Sequence, residues 1–194
     1  MGTLVLNNIR SRKEMIQYLT TRDTSDGYDV LDHSAKGNIL YTLERHPDGY
    51  RFIGVYKMSG PTARERSEGE YGWGYKAMDE SVGPVYYDCP ERILKQSDVE
   101  DRYGWREKCR EVRRRKAAIK VWSKDLTPGA TLGLFAGFQT NTATNRRETI
   151  YKDVIFDYHW SATYFVGHRP GSSTYYRYRW DEVRLPDEVL NAAA

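Results

Sequence analysis

The chain has 194 residues, and its hydrophobic fraction of 39%, a third of it aromatic, is enough for a buried core and excludes an intrinsically disordered chain. No stretch approaches the roughly 20 apolar residues of a transmembrane helix, and the N-terminus lacks the apolar core of a signal peptide. From these two features we expect a cytoplasmic protein without membrane association. The formal net charge of +3 excludes a strongly acidic mimic of DNA.

Residues 1–58 predict a helix followed by an antiparallel sheet. Ser11 and Glu14 have the spacing of a capping box, which predicts a helix at about 12–20. Strands are predicted at 28–33, 38–45 and 50–57. Pro47-Asp48-Gly49 is typical of a tight turn, so the last two strands should form a hairpin.

Residues 59–117 predict a segment of loops and two helices. The absence of apolar periodicity at 59–70 predicts a mobile loop or lid. Residues 71–90, here called the signature segment, contain three glycines, four tyrosines and a tryptophan, and this composition predicts an ordered loop. Helices should follow at about 90–95 and 99–116, the second with Trp105, Cys109 and Val112 facing inward.

The signature segment also resembles a known family. Its motifs are Gly72-Trp73-Gly74-Tyr75-Lys76, Met78-Asp79-Glu80-Ser81, Gly83-Pro84 and Asp88-Cys89-Pro90, followed by Trp105-Arg106 in a helix. They are similar to the signature of a family of uncharacterised proteins carried by phages and plasmids. The resemblance covers about 71–116 and brings no activity with it. It implies an accessory protein of a mobile element, acting in the cytoplasm of a bacterial host cell.

Residues 118–190 predict a small, SH3-like β-barrel. Candidate strands lie at 119–122, 130–138, 149–158, 163–167 and 174–180, and a helical turn at 186–190 should close the domain. Residues 191–194 have the composition of an expression-vector scar. The predicted fold class is therefore α+β: a helix with an antiparallel sheet, a central two-helix segment and a C-terminal barrel.

Basic charge is concentrated at 102–120, where nine basic and two acidic residues give a net +7. Such a helix could follow a phosphate backbone, or it could be a solvated face beside acidic neighbours. In the last predicted strand, Tyr176, Tyr178 and Trp180 alternate with two arginines. The rings could stack on bases if they face outward, but we favour the core, because a barrel needs large side chains to fill it. The candidate nucleic-acid-binding residues are Arg106, Arg110, Arg113, Arg114, Arg115, Lys116, Arg177 and Arg179.

The signature segment could bind a protein partner, since it is rich in the residue types that dominate interfaces. The candidate partner-binding residues are Trp73, Tyr75, Lys76, Asp79, Glu80, Tyr86 and Tyr87. Asp79, Glu80 and Cys89 are weak catalytic candidates. The two acids could form an acid/base or metal-assisted constellation with Asp88 and Lys76, although we favour caps and ion pairs for the acids. Cys89 is a separate candidate nucleophile at a helix N-terminus, which its acidic neighbours oppose. His159 and His168 could bind a metal only if neighbouring strands bring them together, and neither a metal nor a cofactor is expected.

The aromatic signature segment and the basic stripe favour a non-enzymatic protein that acts by binding, and the family resemblance implies that it is an accessory protein of a phage or mobile element whose partner is a host protein. The expected activity is inhibition of a defence system, of the anti-CRISPR or anti-restriction type. One alternative is a protein that binds DNA or RNA through the basic helix at 102–120. A second alternative is an enzyme that acts on a nucleotide or nucleic acid, with its pocket in the signature segment.

Overall fold

The computed structural model describes residues 3–21 and 27–192, and the side chains of Glu188, Asn191 and Ala192 lie outside this description. The fold class is α+β, with two antiparallel sheets. The chain divides into two compact units, Met1–Val112 and Arg113–Ala194. In the described part of the chain, no helix has the length and apolar character needed to cross a membrane.

The first unit contains a five-stranded antiparallel sheet with strand order β1-β5-β4-β3-β2. Its strands are β1 (Leu4–Leu6), β2 (Asp29–Lys36), β3 (Ile39–Arg45), β4 (Arg51–Ser59) and β5 (Trp73–Asp79). The predicted hairpin between β3 and β4 is confirmed. The His46 N–H donates to the Tyr50 carbonyl at 2.8 Å, and Gly49 takes a left-handed φ of +95° in the turn.

The predicted N-terminal helix is also confirmed, as α1 (Arg12–Thr21). The Glu14 N–H donates to Ser11 Oγ at 3.2 Å, and the Glu14 carboxylate accepts the Arg10 N–H at 2.8 Å. These bonds satisfy amides that a helix start leaves unpaired. Met15 and Leu19 then pack in a core with side chains of β3, β4 and β5.

Two predicted loops contain regular structure. Residues 59–70 include the short helix α2 (Ala63–Ser67), which begins with a capping box between Thr62 and Glu65. The signature segment was predicted to be a loop, but its first half is β5, paired with β1 and β4. The reason is an alternation missed in the sequence: Trp73, Tyr75 and Ala77 face one core.

The first central helix is confirmed close to its predicted bounds, but the second is shifted along the chain. α3 (Glu91–Leu94) follows Pro90, whereas α4 (Trp105–Trp122) begins six residues later than expected. Gly104 takes a φ of +62°, and the Asp101 carboxylate accepts the Arg106 N–H at 3.1 Å, which fixes the start of α4. The predicted strand at 119–122 is wrong, because these residues form the last turn of α4 and place Ile119 and Trp122 against the core of the second unit.

The second unit contains a four-stranded antiparallel sheet in sequential order. Its strands are β6 (Thr131–Asn141), β7 (Arg146–His159), β8 (Tyr164–His168) and β9 (Tyr175–Arg179), and α5 (Asp187–Ala192) follows. The predicted SH3-like barrel is not confirmed. Among the described strands, β6 pairs only with β7 and β9 only with β8, although the chain after β9 returns to β6 through an isolated bridge between Leu134 and Val183. Because residues 119–122, the expected first strand, are helical, the four remaining strands do not close into a barrel. Phe156, Phe165 and Trp180 pack on one face of this sheet.

Candidate functional site

The orientation of β9 decides between the two interpretations of its aromatic residues. Trp180 is 4% exposed, and Tyr178 packs against the same core, so the favoured core interpretation is confirmed for both rings. Tyr176 shares their side of the sheet but is 51% exposed. Because side chains alternate along a strand, Arg177 and Arg179 lie on the opposite side, away from the core.

That opposite side carries further rings that the sequence analysis did not single out. Tyr158, Val166 and Arg177 form one row across β7, β8 and β9, and Tyr164 lies opposite Arg179 in the next row. We call this surface the outer face, and it consists of Tyr158, Trp160, Tyr164, Tyr175, Arg177 and Arg179. Its four rings are 51%, 55%, 37% and 60% exposed in that order, whereas Val166 beneath them is buried.

The two arginines of the outer face have different surroundings. The Arg177 guanidinium lies 5.5 Å from the centre of the Trp160 ring and forms no ion pair within the described residues. Arg179 donates two hydrogen bonds to the Asp181 carboxylate, at 2.9 and 2.6 Å, and this carboxylate raises the pKa of Arg179. Arg177 is therefore the arginine whose charge is available to a ligand.

The same face includes a paired histidine. His168 Nδ1 lies 2.9 Å from the Asp157 carboxylate, and its ring contacts Tyr175. His159 lies opposite Phe165 and contacts Trp180, on the core side of the sheet. The two histidines thus lie on different faces, and neighbouring strands do not bring them together as a metal pair.

The basic helix uses several of its charges inside the protein. Arg106 is 15% exposed and lies beside Glu80, and Arg110 bonds to Glu91. Arg115 donates to the Val183 carbonyl at 2.5 Å. Arg113, Arg114 and Lys116 also have partners within the protein. The net +7 at 102–120 therefore overstates the charge that α4 offers to a phosphate backbone.

Most candidate residues of the signature segment lie inside the first unit. Tyr75 and Glu80 are buried, Trp73 is half-buried, and Tyr86 and Tyr87 pack against a core. Lys76 is half-buried on β5. The Trp105 Nε1–H donates to the Tyr86 carbonyl at 3.0 Å, and the Asp88 N–H donates to the Tyr41 hydroxyl oxygen at 3.0 Å. The aromatic density thus holds the segment to the core.

The weak catalytic candidates have structural surroundings. Asp79 accepts the Ser81 N–H at 2.8 Å and caps a 3-10 turn, Glu80–Val82. Glu80 accepts the Ile53 N–H at 3.0 Å and the Ser97 hydroxyl, and burial raises the pKa of its carboxyl. Cys89 is fully buried, and Asp88 pairs with Lys36 at 3.2 Å rather than with Lys76. This arrangement favours caps and ion pairs over an active site.

Comparisons of the chain with protein-family models, with curated proteins and with solved structures found no match. The family resemblance of the signature segment therefore stays a prediction. Among the described residues, the outer face places four exposed aromatic side chains next to Arg177, a cation without an ion pair.

Proposed function

We propose that this protein is a non-catalytic binding protein whose outer face binds single-stranded nucleic acid. The observation that carries the proposal is the cluster of four exposed rings beside Arg177 on the open side of an antiparallel sheet. Exposed aromatic rings stack on bases, and an arginine beside them can neutralise a phosphate or stack in turn. Of the candidate nucleic-acid-binding residues, those on the second sheet, Arg177 and Arg179, then belong to the site, and those on α4 do not.

A single strand fits this face better than a duplex. Stacking on Tyr158, Trp160 and Tyr164 requires bases whose planes are free, and in a duplex those planes are covered by neighbouring base pairs. Stacking is also tolerant of sequence, because every base has a flat aromatic face. We therefore expect weak sequence preference and a strong dependence on salt.

The proposal can be tested by fluorescence anisotropy with labelled single-stranded DNA, single-stranded RNA and a duplex of the same sequence. The double variant Trp160→Ala/Tyr164→Ala should weaken single-strand binding, since each stacked base contributes about 1–3 kcal/mol. Tyr176→Ala is the matched control, because Tyr176 is 51% exposed on the core side of β9. A duplex that binds as tightly as the single strand, or an equal loss in the control, would contradict the proposal.

The same assay separates the outer face from the basic helix. Charge reversal by Arg177→Glu should weaken binding more than Arg114→Glu, which places the same charge change on an exposed position of α4. Equal folding of both variants is checked by circular dichroism. If only Arg114→Glu weakens single-strand binding, the nucleic-acid site lies on α4 and not on the outer face.

A second candidate function is the binding of a host protein by a defence-system inhibitor from a phage or mobile element, acting in the host cytoplasm. The observation that favours protein binding is an apolar patch at the end of the signature segment: Val82, Val85 and Tyr103 are 60%, 68% and 68% exposed. Gly83 joins them, since a Cβ there would lie 3.0 Å from Tyr103 Cβ. Exposed apolar groups that lie together are typical of interaction surfaces.

This second function is tested by purifying the tagged protein from a bacterial host with and without nuclease. A host protein that stays bound after nuclease treatment, and is lost in Val82→Asp/Val85→Asp, would support it. Val121→Asp is the control, because Val121 is 67% exposed on α4, outside the patch. Co-purification of nucleic acid alone would favour the outer face instead.

A further inference from the structure

The first unit contains a cleft of about 650 Å³ that neither proposed function uses. Residues 10–12 meet two later segments there, 60–66 and 71–73, and we call it the arginine cleft. Its lining includes Arg10, Arg12, Gly60, Arg66, Tyr71 and Trp73. The volume lies in the range of small-molecule sites, well above what a single phosphate ion needs.

Backbone contacts hold two of these segments together. The Trp73 N–H donates to the Ile9 carbonyl at 3.0 Å, which places Tyr71 and Trp73 beside Arg10. The third segment lies directly on the indole, because a Cβ at Gly60 would be 2.8 Å from the Trp73 ring. Trp73 is thus a half-buried wall of the cleft, and Tyr71 is 48% exposed at its mouth.

The arginine cleft is positively charged, and its guanidinium groups form few contacts with other groups of the protein. The Arg10 guanidinium lies 5.7 Å from the centre of the Tyr71 ring. Arg12 uses Nε to donate to the Gly37 carbonyl at 2.6 Å, which leaves its terminal nitrogens. Within residues 3–21 and 27–192, neither Arg10 nor Arg66 forms an ion pair.

The nearest carboxylates along the chain do not offset this charge by ion pairing. Glu14 accepts the Arg10 N–H and the Ser11 hydroxyl, and Glu65 accepts the Thr62 N–H. These bonds lower the pKa of both carboxyls, with the backbone donor as the largest cause in each case. Both acids act as caps of helix starts. The Glu14 carboxylate also attracts Arg10 electrostatically, but it forms no ion pair with it among the described residues, so the guanidinium groups of Arg10 and Arg66 can still contact an anion.

From this geometry we propose that the arginine cleft binds a nucleotide. Arg10 and Arg66 bind the phosphates, because guanidinium groups form charge-assisted, forked hydrogen bonds with phosphate oxygens. Tyr71 and the exposed part of Trp73 stack on the base. The source of the nucleotide is either a free mononucleotide or the phosphorylated end of a nucleic-acid strand, since both present the same phosphate and base.

The test is calorimetric titration of the full chain with ATP, pyrophosphate and adenosine. ATP should bind more tightly than either part alone. The double variant Arg10→Gln/Arg66→Gln should weaken ATP binding about tenfold or more, and Tyr71→Ala should weaken ATP but not pyrophosphate. Arg64→Gln is the matched control, because Arg64 is exposed on α2, pairs with Glu68 and does not line the cleft.

Three outcomes overturn the proposal: no binding of ATP, equal loss in the Arg64 control, or pyrophosphate binding as tight as ATP binding. The source is settled by comparing 5′-phosphorylated and 5′-hydroxyl oligonucleotides in the Trp160→Ala/Tyr164→Ala background, which removes the outer face. Dependence of strand binding on the 5′-phosphate and on Arg10 identifies a strand end. ATP binding without that dependence identifies a free nucleotide. Because the cleft variants do not alter the outer face, each proposal can fail alone.

Discussion

Glu80 Oε2 lies 3.2 Å from Arg106 Nε, and these side chains are only 2% and 15% exposed. Neither atom has a hydrogen-bond partner among the described residues, so the contact is an ion pair without a directional bond. The other guanidinium nitrogens of Arg106 donate to the carbonyls of Ser97 and Val99. Arg106 therefore compensates a buried carboxylate and ties the start of α4 to the chain before it.

Replacing Arg106 with methionine should destabilise the protein by about 3 kcal/mol at neutral pH, because Glu80 would be left as an unpaired buried charge. Burial already raises the pKa of Glu80 above its usual 4.5. A carboxyl whose pKa is higher in the folded than in the unfolded protein stabilises the fold when it is protonated. This stabilisation is complete below the pKa of the unfolded state and is lost as the pH rises through the pKa of the folded state. The destabilisation should therefore be smaller at pH 5 than at pH 7.5, as measured by urea unfolding.

Arg102→Met is the control for this experiment. Arg102 and its partner Glu100 are 74% and 80% exposed, and exposed ion pairs contribute little to stability. The double variant Glu80→Gln/Arg106→Met should recover part of the loss. A loss for Arg106→Met that is independent of pH would contradict the assigned role of Glu80.

Arg51 holds Asp98 in its charged form at the surface of the first unit. The Arg51 guanidinium donates to both carboxylate oxygens, at 3.0 and 2.8 Å, and the Arg51 N–H adds a third bond at 2.8 Å. Bonds from this side chain, then from its amide, lower the pKa of Asp98 from 3.8 to about 2. NMR titration of the carboxyl carbon should show this midpoint.

Arg51→Gln should move that midpoint back towards 3.8, because only the backbone donor would remain. The direction of the pH effect follows from the lowered pKa: the pair stabilises the fold above 3.8, and this contribution is lost as pH falls towards 2. An unchanged midpoint in the variant would show that the side-chain pair does not set the pKa of Asp98.

The elements that sequence predicts well are those whose signals are local. The capping box of Ser11 and Glu14 and the turn at Pro47-Asp48-Gly49 fix α1 and the β3–β4 hairpin through bonds within a few residues. α4 was misplaced because its limits depend on Gly104 at the start and on packing of Ile119 at the end. That packing overrides the strand preference of residues 119–122.

The candidate sites were harder to predict for a different reason. Alternation in β9 separates Tyr178 from Arg177, but only the folded sheet shows which side is covered. Tyr158 reaches the outer face through strand register, Trp160 follows the end of β7, and the arginine cleft joins residues 10–12 to the later stretch 60–73. A run of aromatic residues around the β7–β8 turn was the one available signal, and alone it does not distinguish core from surface.

Gly54 lies where β4 passes a buried polar cluster. Glu44 is 2% exposed and accepts the hydroxyls of Thr42 and Tyr56, each at 2.5 Å. A Cβ at Gly54 would lie 2.5 Å from the Glu44 carboxylate and 2.6 Å from Thr42 Oγ1. Gly54→Ala should therefore cost about 1–3 kcal/mol of stability, as expected for overpacking, and thermal unfolding measures it.

Gly133→Ala is the control for Gly54, since its nearest neighbours would be 3.6 Å away, which is ordinary contact. It should change stability much less. Equal destabilisation by the two substitutions would indicate a general cost of alanine in these strands rather than a clash with Glu44.

Tyr41 fixes the end of the signature segment. Its hydroxyl oxygen accepts the Asp88 N–H at 3.0 Å, its ring contacts Trp105, and burial raises its pKa. Tyr41→Phe should destabilise the first unit by about 1–3 kcal/mol, because the Asp88 amide loses an acceptor. Tyr103→Phe, at a ring that is 68% exposed, is the control and should change stability little. A neutral Tyr41→Phe would show that another acceptor replaces the hydroxyl.

The salt dependence of single-strand binding gives the sharpest test of the outer face. Arg177 and Arg179 are neighbours on β9 that differ in pairing, because only Arg179 is bonded to a carboxylate, that of Asp181. Arg177→Gln should reduce the slope of log affinity against log salt by about 0.7, the value for one phosphate contact with a single strand. Arg179→Gln removes the same formal charge, but it should change the slope less, because Asp181 already neutralises that guanidinium.

Since net charge falls equally in both variants, the difference between their slopes reports contact with phosphate rather than long-range attraction. Equal changes in slope would mean that binding follows net charge alone and that the outer face does not direct it.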